Sequence, residues 1–96
     1  MPKSRSHAAR FRQVLALFAL FGHPIRVVMF QRLARTPMTA GELAKTLPIG
    51  RPAVVQHLKR MESARLVNAF PSGRRRLYRI CPQGLAPLQE WLKALG

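Results

Sequence analysis

Residues 39–80 read TAGELAKTLPIGRPAVVQHLKRMESARLVNAFPSGRRRLYRI, and the order of signals in this stretch decides the fold. Thr39 followed three positions later by Glu42 is a capping-box pattern, which predicts a short helix from Ala40 to Leu47 that buries Leu43, Ala44 and Leu47. Pro48 breaks it. Gly50 can cap a second helix, and Pro52 is tolerable only within a first turn, so a helix over 50–64 is expected. Within it Val54, Leu58 and Met61 recur at helical spacing and face a core, while Arg51, Pro52, Val55, Gln56, Lys59 and Arg60 form the other stripe. After Leu66 the period changes to two. Val67 and Ala69, then Tyr78 and Ile80, alternate with polar or basic residues across a Pro71-Ser72-Gly73 turn, which predicts a hairpin over 67–80 with Arg74, Arg75, Arg76 and Arg79 on one strand. Pro71 confines the other strand to an edge.

Outward from this stretch the chain is helical. Ala8 to Phe21 carries Phe11, Val14, Leu15, Phe18 and Phe21 at intervals of three and four, and Leu17 and Leu20 make it apolar most of the way round. A helix of that kind is buried on nearly every side, which in so small a domain points to a subunit interface. Gly22-His23-Pro24 ends it and starts the next, because proline suits the first helical turn. Helix two, from Pro24 to about Arg35, presents Ile25, Val28, Met29 and Leu33 on one side and stops at Thr36-Pro37. The last segment, Gln83 to Leu95, carries Leu85, Leu88, Trp91, Leu92 and Leu95 and is expected to pack on the first helix. The result is a mainly α fold with a small β-hairpin, in the order of four helices, two strands and a fifth helix. It is organised as a basic, flexible tail over 1–7 and one domain over 8–96.

Composition narrows the function. The 96 residues carry a formal net charge of +14, with 17 lysines and arginines against three acids, Glu42, Glu62 and Glu90. Such an imbalance favours a polyanionic partner, nucleic acid first and anionic membrane second. Arginine greatly outnumbers lysine, which suits bidentate contacts to phosphate and guanine. The single cysteine, Cys81, excludes an intramolecular disulfide framework and fits a reducing, cytoplasmic location. The basic N-terminus before Val14–Phe21 imitates a signal peptide, but no small-x-small cleavage pattern follows and the apolar run is too short to span a bilayer.

A helix-turn-helix followed by an arginine-loaded β-ribbon is a winged helix-turn-helix, built to hold double-stranded DNA. Arg51, Pro52, Val55 and Gln56 are expected at base edges, Val55 against a thymine methyl, with Lys59 and Arg60 nearer the backbone and Arg74, Arg75 and Arg76 on phosphates or in the minor groove. A homodimer through Phe11, Leu15, Phe18, Leu88, Trp91 and Leu92 sets two recognition helices roughly 34 Å apart and predicts a palindromic operator. His57, at the edge of the buried stripe, reads as a hydrogen-bonded structural group. The competing class is a basic protein-interaction or membrane-surface module that uses the apolar first helix.

The run Phe21-Gly22-His23-Pro24-Ile25-Arg26, then Gly41-Glu42-Leu43-Ala44, Arg51-Pro52-Ala53-Val54-Val55-Gln56-His57-Leu58 and Arg76-Leu77-Tyr78-Arg79-Ile80, resembles the ArsR family of bacterial winged-helix repressors over about Phe21 to Trp91. The resemblance implies dimers built from the first and last helices, and repression relieved by an inducing signal that no residue here names, whether a small molecule or a protein. The family often has serine where this chain has Gly50 and Val55. It also contains metal sensors. Their Cys-x-Cys pattern would fall on Leu43-Ala44-Lys45-Thr46, where it is absent, and the site on the last helix would have only Glu90 to draw on. His7, His23, His57 and Cys81 are scattered, whereas zinc ordinarily takes three or more protein ligands, so neither a metal nor another cofactor is expected. Cys81 leaves open a thiol-based redox response, for instance through an intersubunit disulfide. No paired carboxylate, Ser/His/Asp set or glycine-rich phosphate loop points to an enzyme.

Overall fold

The structure is a computed structural model that describes residues 2–96, with side chains from Ala8 onward. Its elements are α1 (Pro2–Phe21), α2 (Pro24–Arg35), α3 (Ala40–Ala44), α4 (Arg51–Ser63), β1 (Val67–Ser72), β2 (Arg75–Ile80), a 3-10 turn η1 (Pro82–Leu85) and α5 (Ala86–Leu95). This is the expected order, with two corrections at the boundaries. The backbone of α1 runs from Pro2 to Phe21; the tail expected over 1–7 falls largely outside the described residues, which leave out Met1 and the side chains of 2–7. Helix α3 has five residues and ends before Leu47, because Thr46 turns its hydroxyl back to the Leu43 carbonyl at 2.8 Å and its N–H closes a tight turn onto the same oxygen at 3.0 Å. The final helix is split, with Pro82 opening a 3-10 turn ahead of α5.

Local chemistry explains the well-placed ends. Thr39 Oγ1 accepts from the Glu42 N–H at 3.0 Å and Glu42 Oε1 accepts from the Thr39 N–H at 2.9 Å, a complete capping box. Pro24 and Pro52 each lie in a first turn, where no intrahelical N–H is lost. The chain turns by 94° between α1 and α2. The strands pair antiparallel from Val67↔Ile80 to Ser72↔Arg75, leaving Gly73 and Arg74 as a two-residue loop. Gly73 has φ 64°, the left-handed conformation a hairpin turn of this length asks of its first central residue.

One core joins the elements. Met29 and Leu33 of α2, Leu43 of α3, Val54, Leu58 and Met61 of α4, Leu66 between α4 and β1, and Val67 and Tyr78 of the hairpin are buried together, with Leu17 and Leu20 of α1. A second anchor is backbone: Met38, between α2 and α3, exchanges two hydrogen bonds with Tyr78 of β2 at 3.1 and 2.8 Å. The hairpin is thereby fixed to the connection that leads into α3.

Helix α1 sorts its apolar residues into two sets. Val14, Leu17 and Leu20 are buried within the chain, whereas Phe11, Leu15 and Phe18 are 56, 49 and 49% exposed and continue onto Leu92 and Leu95 of α5, 56 and 67% exposed. The Phe18 and Trp91 rings meet edge to face with centroids 5.5 Å apart, which ties the two exposed sets together. Among the described residues no single helix is long and apolar enough to cross a membrane.

Candidate nucleic-acid interface

The short α3, a break at residues 45–50 and α4 form a helix-turn-helix. Gly50 occupies the N-cap of the second helix and, lacking a side chain, gives its first N–H groups no side-chain cap. Behind this N-terminus Arg51, Pro52, Gln56, Lys59 and Arg60 are all exposed. Arg51 leans toward α3: its Nη1 lies 3.8 Å from the position a Cβ on Gly41 would take. The stripe carries two further cations and no acid.

Val55 departs from expectation. It is only half exposed and packs against the core cluster, because the α4 face adjoining Val54 and Leu58 is wide enough to take it in. Its side chain is therefore less accessible than those of its exposed neighbours Arg51, Pro52 and Gln56.

The wing contributes Arg74, Arg75 and Arg76, all exposed, but their surroundings differ. Arg75 Nη2 lies 2.6 Å from Glu42 Oε1 of α3. Arg76 Nη2 lies 3.9 Å from Glu62 Oε2 of α4, and its Nε donates to the Tyr78 hydroxyl at 3.2 Å. Arg74, in the turn itself, has no acid within salt-bridge distance among the described residues. Arg79 is structural: it lies over the Phe70 ring at 4.4 Å and donates to Asn68 Oδ1 at 3.0 Å. These long-range pairings left no trace in local sequence patterns.

His57 is the hydrogen-bonded group expected. Its Nδ1 accepts from Arg26 Nε at 3.1 Å, and its ring stands 4.9 Å from that of His23. Arg26 also donates through Nη1 to the Leu20 carbonyl at 3.3 Å, so one guanidinium joins the end of α1 to the middle of α4. Burial, and then the charges of Arg26, His23 and Arg60, hold the His57 pKa below its ordinary value. The folded state thus binds fewer protons than the unfolded chain, and the stability from neutral His57 is complete above its unfolded pKa of about 6.5 and lost as pH falls through the folded value. Thermal midpoints are expected to drop between pH 7.5 and 5, and His57→Asn, which keeps an acceptor for Arg26 and cannot be protonated, to flatten that drop. An unchanged pH profile in the variant would contradict the assignment.

Of the residues expected at a dimer interface, Phe11, Leu15, Phe18 and Leu92 form the exposed stripe described above, and Trp91 borders it at half exposure. Leu88 instead packs against the core of its own chain, and Leu95, the most exposed of the set, belongs to the apolar spacing of the last helix but was not assigned to the interface. Cys81 is half-buried, with its N–H donating to the Leu66 carbonyl at 2.6 Å.

An exposed basic recognition helix beside a charged two-stranded ribbon, both fixed to one core, defines a winged helix-turn-helix DNA-binding domain. The comparisons agree. A helix-turn-helix domain model matches residues 21–68. The chain is 48% identical over 75 residues to the HTH-type transcriptional regulator Rv2034 of Mycobacterium tuberculosis, covering 73% of this chain and 70% of that one. It is 35% identical over 63 residues to the HTH-type transcriptional repressor SmtB of the same organism, covering 66% of this chain but only 47% of that repressor. Among solved structures, an ArsR-like transcriptional regulator from Rhodococcus sp. RHA1 superposes with a TM-score of 0.80 at 27% identity, covering 90% of this chain and 81% of that one. The protein belongs to the ArsR family of winged helix-turn-helix transcriptional regulators.

Proposed function

We propose that the protein is a homodimeric repressor that binds a palindromic operator, with α4 in the major groove and the wing on the flanking backbone. The observation that carries this reading is the acid-free exposed stripe of α4 at a helix N-terminus without a side-chain cap, beside a wing with arginines at its tip. Gln56 suits bidentate pairing with adenine and Arg51 with guanine; Pro52 offers an apolar contact; Lys59, Arg60 and Arg74 suit phosphates, and Arg75 and Arg76 join them on DNA. The exposed stripe of Phe11, Leu15, Phe18, Leu92 and Leu95 supports dimerisation through α1 and α5, since a domain this small does not leave five large apolar side chains in water without use. Repression is also what the name of the SmtB relative states for that protein.

Fluorescence anisotropy with labelled duplexes tests the contact assignment. Gln56→Ala is expected to reduce discrimination between operator and scrambled DNA by about 1–3 kcal/mol. Arg74→Ala should weaken binding to both equally and flatten the salt dependence by roughly 0.9 in log–log slope, the signature of one lost phosphate contact. Unchanged discrimination in the first variant together with an unchanged slope in the second would overturn the assignment.

A further inference from the structure

All three acids of this strongly basic chain are matched to arginines, and one match is unusual in its geometry. Glu42 Oε1 receives two donors at once, the Thr39 N–H at 2.9 Å and Arg75 Nη2 at 2.6 Å. The first of these is half of the capping box that starts α3, so the carboxylate cannot swing away without uncapping the helix. Arg75 stands at the first position of β2, against the hairpin turn. A fixed anion on the helix-turn-helix therefore holds the tip of the wing.

We propose that Glu42 is a wing-positioning residue that occupies Arg75 in the DNA-free protein in the way a phosphate occupies it on DNA, so that binding is an exchange of one anion for another. This rests on the DNA-binding reading above. Both partners are about half exposed, so the pair is weak enough to open and a phosphate can displace the carboxylate. When Arg75 moves to a phosphate the DNA releases one condensed cation, but the ion pair that must open first is itself weakened by salt, so Arg75 contributes less than a full phosphate contact to the salt dependence of the native protein. Arg74, with no acid beside it among the described residues, contributes its full share. Glu42 thus restrains indiscriminate binding by a domain of net charge +14 and fixes the wing against α3 before DNA arrives.

Glu42→Gln separates the two duties of the side chain, because glutamine at this position retains the capping box while losing the ion pair. Binding to a nonspecific duplex, measured by anisotropy over a salt series, is expected to tighten about two- to fivefold, with a log–log slope that steepens by up to roughly 0.9. The change should vanish in an Arg75→Ala background. Glu90→Gln, which removes the same charge from α5, should not reproduce the slope change. In the DNA-free protein, Glu42→Gln should shift the amide resonances of Ser72 to Arg75 and leave those of α5 in place. Equal slopes for native protein and Glu42→Gln, an equal gain in the Arg75→Ala background, or an equal effect of Glu90→Gln would overturn the proposal while leaving DNA binding itself intact. A native protein without salt-dependent binding to any duplex would instead remove the DNA reading, and this proposal with it.

Discussion

Replacing Leu15 and Phe18 together by glutamate is expected to yield a folded monomer whose operator affinity is lower by a hundredfold or more. The two side chains are each 49% exposed, while the neighbours that hold α1 to its own chain, Val14, Leu17 and Leu20, are nearly inaccessible. Phe18 loses its edge-to-face contact with Trp91, a local cost of about 0.5–1.5 kcal/mol that a domain with ordinary stability absorbs. Across the proposed two-fold axis the loss is far larger. Burying a large apolar side chain is worth about 1.5–3 kcal/mol, and each substitution acts twice in a symmetric interface and adds like charges facing one another. Once the subunits part, each recognition helix binds a half-site alone, and the avidity of linked sites, typically 10²–10⁴, disappears. Sedimentation equilibrium and anisotropy on the same samples check both parts, with a circular dichroism melt as the control for folding. A double variant that stays dimeric would refute the interface through α1 and α5.

Gly84→Ala is expected to be among the most damaging single changes to the fold. A Cβ at Gly84 would overlap the Arg65 carbonyl oxygen and lie 2.8 Å from its carbonyl carbon. Neither can retreat easily. Arg65 has φ 60° and closes α4 with a pair of hydrogen bonds, Arg65 N to Glu62 O at 2.9 Å and Leu66 N to Met61 O at 2.9 Å, the double bond of a Schellman motif. The next carbonyl, of Leu66, accepts from Cys81, and Leu66 itself is fully buried. Accommodating the methyl means pushing η1 off the end of the recognition helix, at a cost of about 3 kcal/mol or more, a large part of the stability of a small domain. Gly41→Ala supplies the contrast: the nearest atom to its Cβ is 3.8 Å away and the residue is helical, so the substitution is expected to be neutral or to stabilise by up to about 1 kcal/mol. Urea denaturation of the two variants, read as midpoints, distinguishes close packing at Gly84 from a general sensitivity to added methyl groups. Similar midpoints would show that the packing of η1 on Arg65 is not tight.

Much of this architecture was legible in the sequence because it rests on local rules. Thr39 with Glu42, Pro24 and Pro52 in first turns, and the change of period after Leu66 each act over four or five residues, and each stands where those rules put it. What was illegible depends on distance along the chain or on a choice between equivalent faces. Glu42 and Arg75 are far apart in sequence, and so are Arg26 and His57, and no pattern within a helical turn announces such pairs. The two apolar sets on α1 have the same spacing, so periodicity alone could not tell the set that enters its own core from the set left facing outward. Arg65 in a left-handed conformation was hidden because that position usually advertises itself by glycine. Val55 lies between the core and exposed faces of α4, and only the width of the packed face decided its side.

The departures from the family's usual residues now have a physical meaning. Gly50 caps α4 with backbone alone and Val55 turns partly inward, so neither supplies the hydroxyl that serine would offer to DNA. Under the proposed binding mode, base recognition rests on Arg51 and Gln56, with Pro52 beside them, and the wing adds affinity in proportion to how freely its arginines leave Glu42 and Glu62.

Selection of bound duplexes from a random-sequence library by the purified protein tests the central claim most directly. A dimer reading DNA through α4 predicts an enriched inverted repeat whose half-sites are centred about one helical turn apart. Loss of preference at the same one or two positions of each half-site is expected on Gln56→Ala. Enrichment of no sequence, or binding to anionic vesicles as strong as to any selected duplex, would contradict it.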